Sequence, residues 1–364
     1  MEQFHCTRQL GTASATFADA TLTVSTGELR RRWQWTGHGF ITTALDDLVT
    51  GKSWCRENPL YRCDWVLPGL ENAPPEATLT DLYIHPSDDE RFTSEHLEVV
   101  AAIDYPEAHL QIRHVVWVYP DSPGIRIQLQ IRGMEGFHSE QAPYATDRVD
   151  HLPLSFGVAR RRMFGYYNDT QRRNDTHLDI LKEEVIDRPL RGPEWCDWSS
   201  ALCVEDDCSG LALLRESHRC VNQVGHACGH FYCDPDTGLE ATGWGVLPQE
   251  IAADRYRAGW ATWCLVYGPT DVDRQLTFKR FDRIRYPTDP DRDIYIMANT
   301  WGSCGQRHNP EPEREIRLHF LEEVPLEFED LVTGDKTTVA ADPEGRIPLH
   351  IDSPADFRFV RYTF

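Results

Sequence analysis

Long apolar runs are missing from this chain. None approaches the roughly 20 residues that a membrane-spanning helix requires, and Met1–Phe17 lacks a basic stretch followed by an apolar core. Neither a membrane span nor a secretory leader is expected. Positive charge is also scarce: 37 Lys and Arg face 58 Asp and Glu, a formal net charge of −21. Such a surface repels nucleic acid and anionic lipid, so neither is an expected partner. It suits neutral small molecules and sugars, and serves solubility equally well. No internal repeat or low-complexity tract stands out. The eleven cysteines are an odd number without the spacing of a small disulfide scaffold. They point to free buried thiols in a reducing compartment, with a cytoplasmic location expected. The sequons at Asn168 and Asn174 then read as chance matches.

What the chain has is period-two alternation. Thr21–Ser25, Leu29–Trp35 and Phe40–Leu48 alternate between turns at Thr26–Glu28 and Thr50–Lys52, as half-buried antiparallel strands do. A meander runs from Leu97 to Gly133, broken by turns at Pro106–Ala108 and Asp121–Gly124. Its last strand, Ile125–Arg132, places Ile and Leu on one face and Arg, Gln, Gln, Arg on the other. Strands are expected again at 200–204, 210–216, 221–225 and 230–233, with one continuous apolar strand over 258–267. Arg56–Ala77 reads as a long loop. Arg160–Arg162 and the polar run 166–177 read as exposed loop, and the tryptophans outside the motifs as core. Long consecutive antiparallel strands build a large sandwich over residues 1–268. A helix is predicted over 271–284, N-capped by Thr270 with Asp273 three residues on. It opens a connecting segment, 269–315, and five short strands in 316–364 predict a small β domain. The fold class is mainly β.

Three constellations bear on chemistry. The first is the run Asp293–Gly302 (DIYIMANTWG), a short apolar strand closed by a polar, aromatic and glycine cluster that delivers side chains to a site. Asn299 and Trp301 suit a sugar, an amide fork for hydroxyls and an aromatic face for ring C–H groups; Trp301 equally suits a plug between domains. The second is Cys220, His226, Cys228, His230 and Cys233. Zinc needs about four converging ligands, whereas residues 226, 228 and 230 on one strand face span roughly 13 Å. Buried free thiols are the expectation, with no metal and no cofactor. The third is Asp46–Asp47 and Asp206–Asp207, adjacent carboxylates whose side chains point to opposite faces of a strand and so read as turn or edge residues.

Four segments together resemble one family: Tyr119–Arg126 (YPDSPGIR), Asn168–Gln171 (NDTQ), Lys279–Pro287 (KRFDRIRYP) and Met297–Gly302 (MANTWG). In this order and spacing they resemble the family 36 glycoside hydrolases, the bacterial α-galactosidases. The resemblance implies that residues 21–302 form an antiparallel β-supersandwich of the galactose-mutarotase type. It implies that NTWG is the entry strand of a catalytic barrel and that 316–364 correspond to the β domain after that barrel. It also implies a rim of Asn168, Asp169, Arg172, Arg173 and Asp175 reaching toward a galactose-containing sugar. The departure is that the barrel, with both catalytic carboxylates, is replaced by the polar linker 302–315. A barrel-less relative and a chain from which a barrel was removed both fit this. No catalytic residue is assigned, and no hydrolysis is expected. Three functions follow as readings: a carbohydrate-processing protein holding only non-catalytic domains, a carbohydrate-binding or assembly module with homo-oligomers left open, and a mutarotase-like isomerase. The last needs a His and a carboxylate over one sugar ring.

Overall fold

The computed structural model describes residues 4–56, 63–67, 75–144, 147–156, 159–166, 181–196, 199–216, 230–287, 315–317, 325–330, 334–340, 346–348 and 360–363. The chain forms two compact units, Met1–Pro287 and Thr288–Phe364. Among the described residues no helix is long and apolar enough to cross a membrane.

The first unit opens with a five-stranded antiparallel meander: β1 (Cys6–Leu10), β2 (Ala13–Ala18), β3 (Thr21–Ser25), β4 (Leu29–Trp35) and β5 (Phe40–Asp47). Then come β6 (Thr78–Ser87), β7 (His96–Tyr105), β8 (Leu110–Val118), β9 (Gly124–Gly133), β10 (Arg148–Leu152), β11 (Arg160–Tyr166), β12 (Leu181–Ile186) and β13 (Glu194–Cys196). The unit continues through β14 (Ala201–Glu205), β15 (Gly210–Arg215), β16 (Phe231–Asp234), β17 (Gly238–Thr242), β18 (Arg257–Ala258) and β19 (Thr262–Tyr267). Nine of these make one path, β12-β11-β14-β15-β19-β9-β8-β7-β6, with β18 beside β9 as the tenth strand of the sheet; β10-β17-β16-β13 form a four-stranded sheet.

Alternation explains the layering. In β9, Ile125, Ile127, Leu129 and Ile131 are buried while Gln128, Gln130 and Arg132 are half-buried. One face of the large sheet joins the inner faces of the two smaller sheets in a single core with Leu22, Trp33, Phe40, Ile112, Leu213, Phe231 and Leu239. Burying side chains of this kind contributes about 1.5–3 kcal/mol each. Within that core Arg31 is sealed. Its Nη1 and Nη2 donate to Asp150 at 3.0 and 2.6 Å, and its Nε and Nη2 to Thr42.

The large sheet's other face carries Tyr119, Cys203, Ala212, Trp263, Leu265 and Tyr267, packed with Phe281 and Phe278 of α1 (Asp271–Arg285). Helix α1 starts where the sequence places it: Thr270 accepts from the Asp273 N–H, and Asp273 returns a bond to the Thr270 N–H, which occupies otherwise unpaired backbone donors. Arg274 and Tyr267 both donate to Glu205, at 2.9 and 3.1 Å, tying the helix to β14. A Cβ on Gly210 would lie 2.0 Å from the Tyr267 ring, so only glycine leaves that tyrosine its place.

Three expectations are corrected. Arg160–Arg162 are not exposed loop but the start of β11, with Arg161 and Arg162 buried because Glu194, Glu183, Glu205 and Asp271 gather round them. The stretch 258–267 is not continuous. It breaks at 259–261, where the Trp260 N–H turns to the Trp244 carbonyl and a Cβ on Gly259 would meet that carbonyl at 2.7 Å. Trp195, expected in the core, is exposed.

In the second unit the described strands are β20 (Glu315–Arg317), β21 (Pro325–Asp330), β22 (Lys336–Ala340), β23 (Arg346–Pro348) and β24 (Val360–Thr363). They form a two-stranded sheet, β20-β23, and a three-stranded sheet, β22-β21-β24. Five described strands answer the expectation of short strands in this region, and Gly334 takes a positive φ before β22. The molecule is mainly β.

Candidate functional site on the large sheet

The residues singled out for a sugar, Asn299, Trp301, Asn168, Asp169, Arg172, Arg173 and Asp175, lie outside the described residues, as do Cys220, His226 and Cys228. Of that soft-ligand cluster, Cys233 is buried, and a hydrogen bond with Cys196 together with burial pushes its thiol up. Among the described residues no three His, Cys, Asp or Glu side chains group as metal ligands. The paired aspartates are turn and tie residues, as their spacing implied. Asp46 holds Arg30 and Ser53. Asp47 caps Val49 and Thr50 and accepts from Ser209, and Asp206 accepts from the Cys208 and Ser209 N–H groups.

A different constellation emerges from strand register. His85, Glu98, Trp117, Arg126 and Trp263 are successive cross-strand partners on β6, β7, β8, β9 and β19. Period two puts all five on one face, with neighbours about 4.8 Å apart. Along this row each carboxylate is oriented by an indole. Trp117 Nε1 donates to Glu98 at 2.6 Å, and Trp263 Nε1 donates to Glu216 at 2.6 Å. Between them Arg126 forks onto Glu216 at 2.7 and 2.8 Å and lies 4.0 Å over the Trp117 ring. Charge-assisted forks of this kind fix geometry as well as adding energy. His85 Nε2 stands 3.3 Å from Glu98, and its ring stacks on the partly exposed Tyr83 at 5.6 Å. Gln128, half-buried beside Arg126, receives one of its N–H groups at 3.2 Å.

Electrostatics follow from these partners. Burial pushes the Glu216 carboxyl up, but the Arg126 bonds and charge and the Trp263 N–H outweigh it and hold it below the usual carboxylate range. His96 is stacked between Trp117 and Tyr119, 4.5 Å from each, and burial holds it below its ordinary value. Its Nδ1 lies 3.1 Å from the Ser94 carbonyl, so the neutral ring donates there and leaves Nε2 a bare acceptor, buried and unpartnered.

Helix α1 covers Trp263, while Tyr83, His85, Glu98, Trp117, Gln128 and Glu216 keep solvent access. Such a face offers fixed acceptors to hydroxyl donors and an aromatic rim to C–H groups. It does not offer a retaining glycosidase pair. Glu98 on β7 and Glu216 just past β15 start with three strands between them, and the Trp117 ring and the Arg126 guanidinium stand between their carboxylates. A retaining mechanism needs about 5 Å. The sequence signal for this face was the polar half of β9; the row itself spans residues 85 to 263 and has no local spacing.

No family model matches the chain, and no curated protein matches it. Among solved structures it is similar to the galactosidase domain of an α-galactosidase–sucrose kinase, AgaSK, with TM-score 0.45, 11% identity, 73% of this chain and 43% of that one. It is also similar to an α-galactosidase from Lactobacillus brevis, with TM-score 0.47, 9% identity, 73% of this chain and 42% of that one. The values for the GH36 α-galactosidase AgaB from Geobacillus stearothermophilus are TM-score 0.46, 11% identity, 79% and 46%. The last carries the name of the family that the sequence motifs resemble. The chain spans less than half the length of each, and a likeness at this level says nothing of activity.

Proposed function

We propose that this chain is an α-galactosidase-related protein that binds a neutral, galactose-containing carbohydrate on the exposed half of the large sheet and does not itself cleave it. The observation that carries the reading is the pair of carboxylates, Glu98 and Glu216, each locked by a tryptophan N–H at 2.6 Å and left accessible beside Tyr83 and Gln128. Preorganised acceptors next to an aromatic rim suit hydroxyl donors on a ring with apolar faces. The cation in the row is already neutralised, so an anionic ligand finds no free partner in it. The motif resemblance supports galactose as the sugar. The reading that the chain does not hydrolyse rests on Trp117 and Arg126 standing between the two carboxylates and on the short linker where the family has its barrel.

Titration calorimetry with methyl α-galactoside and raffinose tests the binding. Tyr83→Ala and Glu98→Gln, both at accessible positions, are expected to weaken it at least tenfold. An aryl α-galactoside is expected to survive incubation. Unchanged affinity in both variants, or turnover that disappears on Glu98→Gln, overturns the reading.

One observation favours a second reading, a mutarotase-like isomerase: His85 and Glu98 stand 3.3 Å apart at the open end of the row, a base and an acid within reach of one hydroxyl. Polarimetry of freshly dissolved α-D-galactose decides it. Acceleration lost on His85→Ala supports isomerisation, and an uncatalysed rate removes it.

A further inference from the structure

Of the nine tryptophans among the described residues, six are buried, two are half-buried and one, Trp195, is exposed, at 62%. It stands on β13, the edge strand of the four-stranded sheet, directly opposite Tyr232 on β16. Their ring centroids lie 4.2 Å apart, and the His230 ring meets the indole edge-on at 4.4 Å. Three aromatic rings thus hold one another on the outer face of a sheet whose inner face is core. Tyr232 donates its hydroxyl to Asp234 Oδ2 at 3.3 Å, while Asp234 Oδ1 is fixed by the N–H groups of Asp236 at 2.7 Å and Thr237 at 3.2 Å. A rigid acceptor therefore borders the rings. The next position in the row, Glu240, is neutralised by Arg148 at 2.9 Å.

We propose that Trp195, Tyr232 and His230 form a second carbohydrate contact, a platform on which one ring of a longer neutral glycan stacks, with Asp234 taking a hydroxyl. The ligand class rests on the carbohydrate reading above; the place rests on separate residues in a separate sheet. A rigid aromatic face presents apolar area at low conformational cost, which a pyranose C–H face matches and water does not. Among the described residues the platform bears no unneutralised cation, and the whole chain carries −21, so a neutral glycan fits it and a phosphate or acidic polymer does not. The platform lies outside the large-sheet row, so a polymer that engages both contacts gains affinity where a single sugar does not.

Affinity electrophoresis through gels containing soluble neutral galactomannan tests this, with methyl α-galactoside titration as the second readout. Trp195→Ala is expected to lose at least fivefold of the retardation while monosaccharide affinity stays unchanged, and Trp195→Phe to recover part of it. Tyr83→Ala is expected to do the reverse, weakening monosaccharide binding more than Trp195→Ala does. Retardation unchanged in Trp195→Ala overturns the platform, as does a change of oligomeric state in that variant, which makes the face an interface between copies. Wild-type protein that binds neither ligand overturns the carbohydrate reading itself, so the two failures are distinct.

Discussion

Arg31 and Arg126 make the same interaction in two settings. Each forks onto one carboxylate, Asp150 or Glu216, and each lies over a tryptophan, Trp33 at 4.6 Å or Trp117 at 4.0 Å. Around Arg31 everything is closed: its side chain is 0% exposed and that of Asp150 3%. Thr42, Asp64 and the His151 carbonyl complete the shell. Around Arg126 the shell is open on one side, where Glu216 is 31% exposed. A fork with every lone pair used inside the protein specifies packing. One whose acceptors reach solvent is prepared to meet a ligand. The chemistry of the pair is the same, and solvent access separates structure from site.

The largest effect is expected on the closed side. Arg31→Met leaves Asp150 and Asp64 buried without their cation, which costs on the order of 3–5 kcal/mol. Urea denaturation measures it, and a loss below about 1 kcal/mol would mean that the pair is not sealed. On the open side Glu216→Gln keeps the shape but removes the charge. With solvent to screen Arg126, about 1 kcal/mol of stability is expected to go, much less than for Arg31→Met. Equal losses erase the distinction.

The closed side also carries a pH dependence. Burial first, then the Arg31 charge, lowers His114 to about 3, so the folded state refuses a proton that the unfolded chain takes near 6.5. Its contribution is complete above pH 6.5 and is lost as pH falls toward 3. Burial raises Asp64 to about 7, which has the opposite sign: stability falls as pH rises from about 4 to 7. His114→Phe is therefore expected to flatten the acid side of the stability profile, and Asp64→Asn the neutral side, both read from melts across pH 4–8. An unchanged profile in both variants contradicts the sealed core.

How much of this was legible depended on whether the signal was local. Thr21–Ser25 and Leu29–Trp35 coincide with their strands because uninterrupted alternation marks them, and Thr270 with Asp273 announces α1. Strand β6 was missed. A bulge between Leu79 and Asp81 breaks its period, and Pro86 signals against a strand though it is tolerated at the sheet edge. β11 was missed because three consecutive arginines read as solvent-facing, while their partners Glu183, Glu194, Glu205 and Asp271 lie up to 109 residues away. The candidate site was least legible of all. Trp117, Arg126, Trp263 and Glu216 meet only through register, and nothing near any one of them names the others.

The most direct test of the account is a crystal structure of the protein soaked with methyl α-galactoside. The account predicts sugar density beside Tyr83, with hydroxyls within hydrogen-bond distance of Glu98 and Gln128. Sugar bound elsewhere on the chain, with this face empty at saturating concentration, contradicts it.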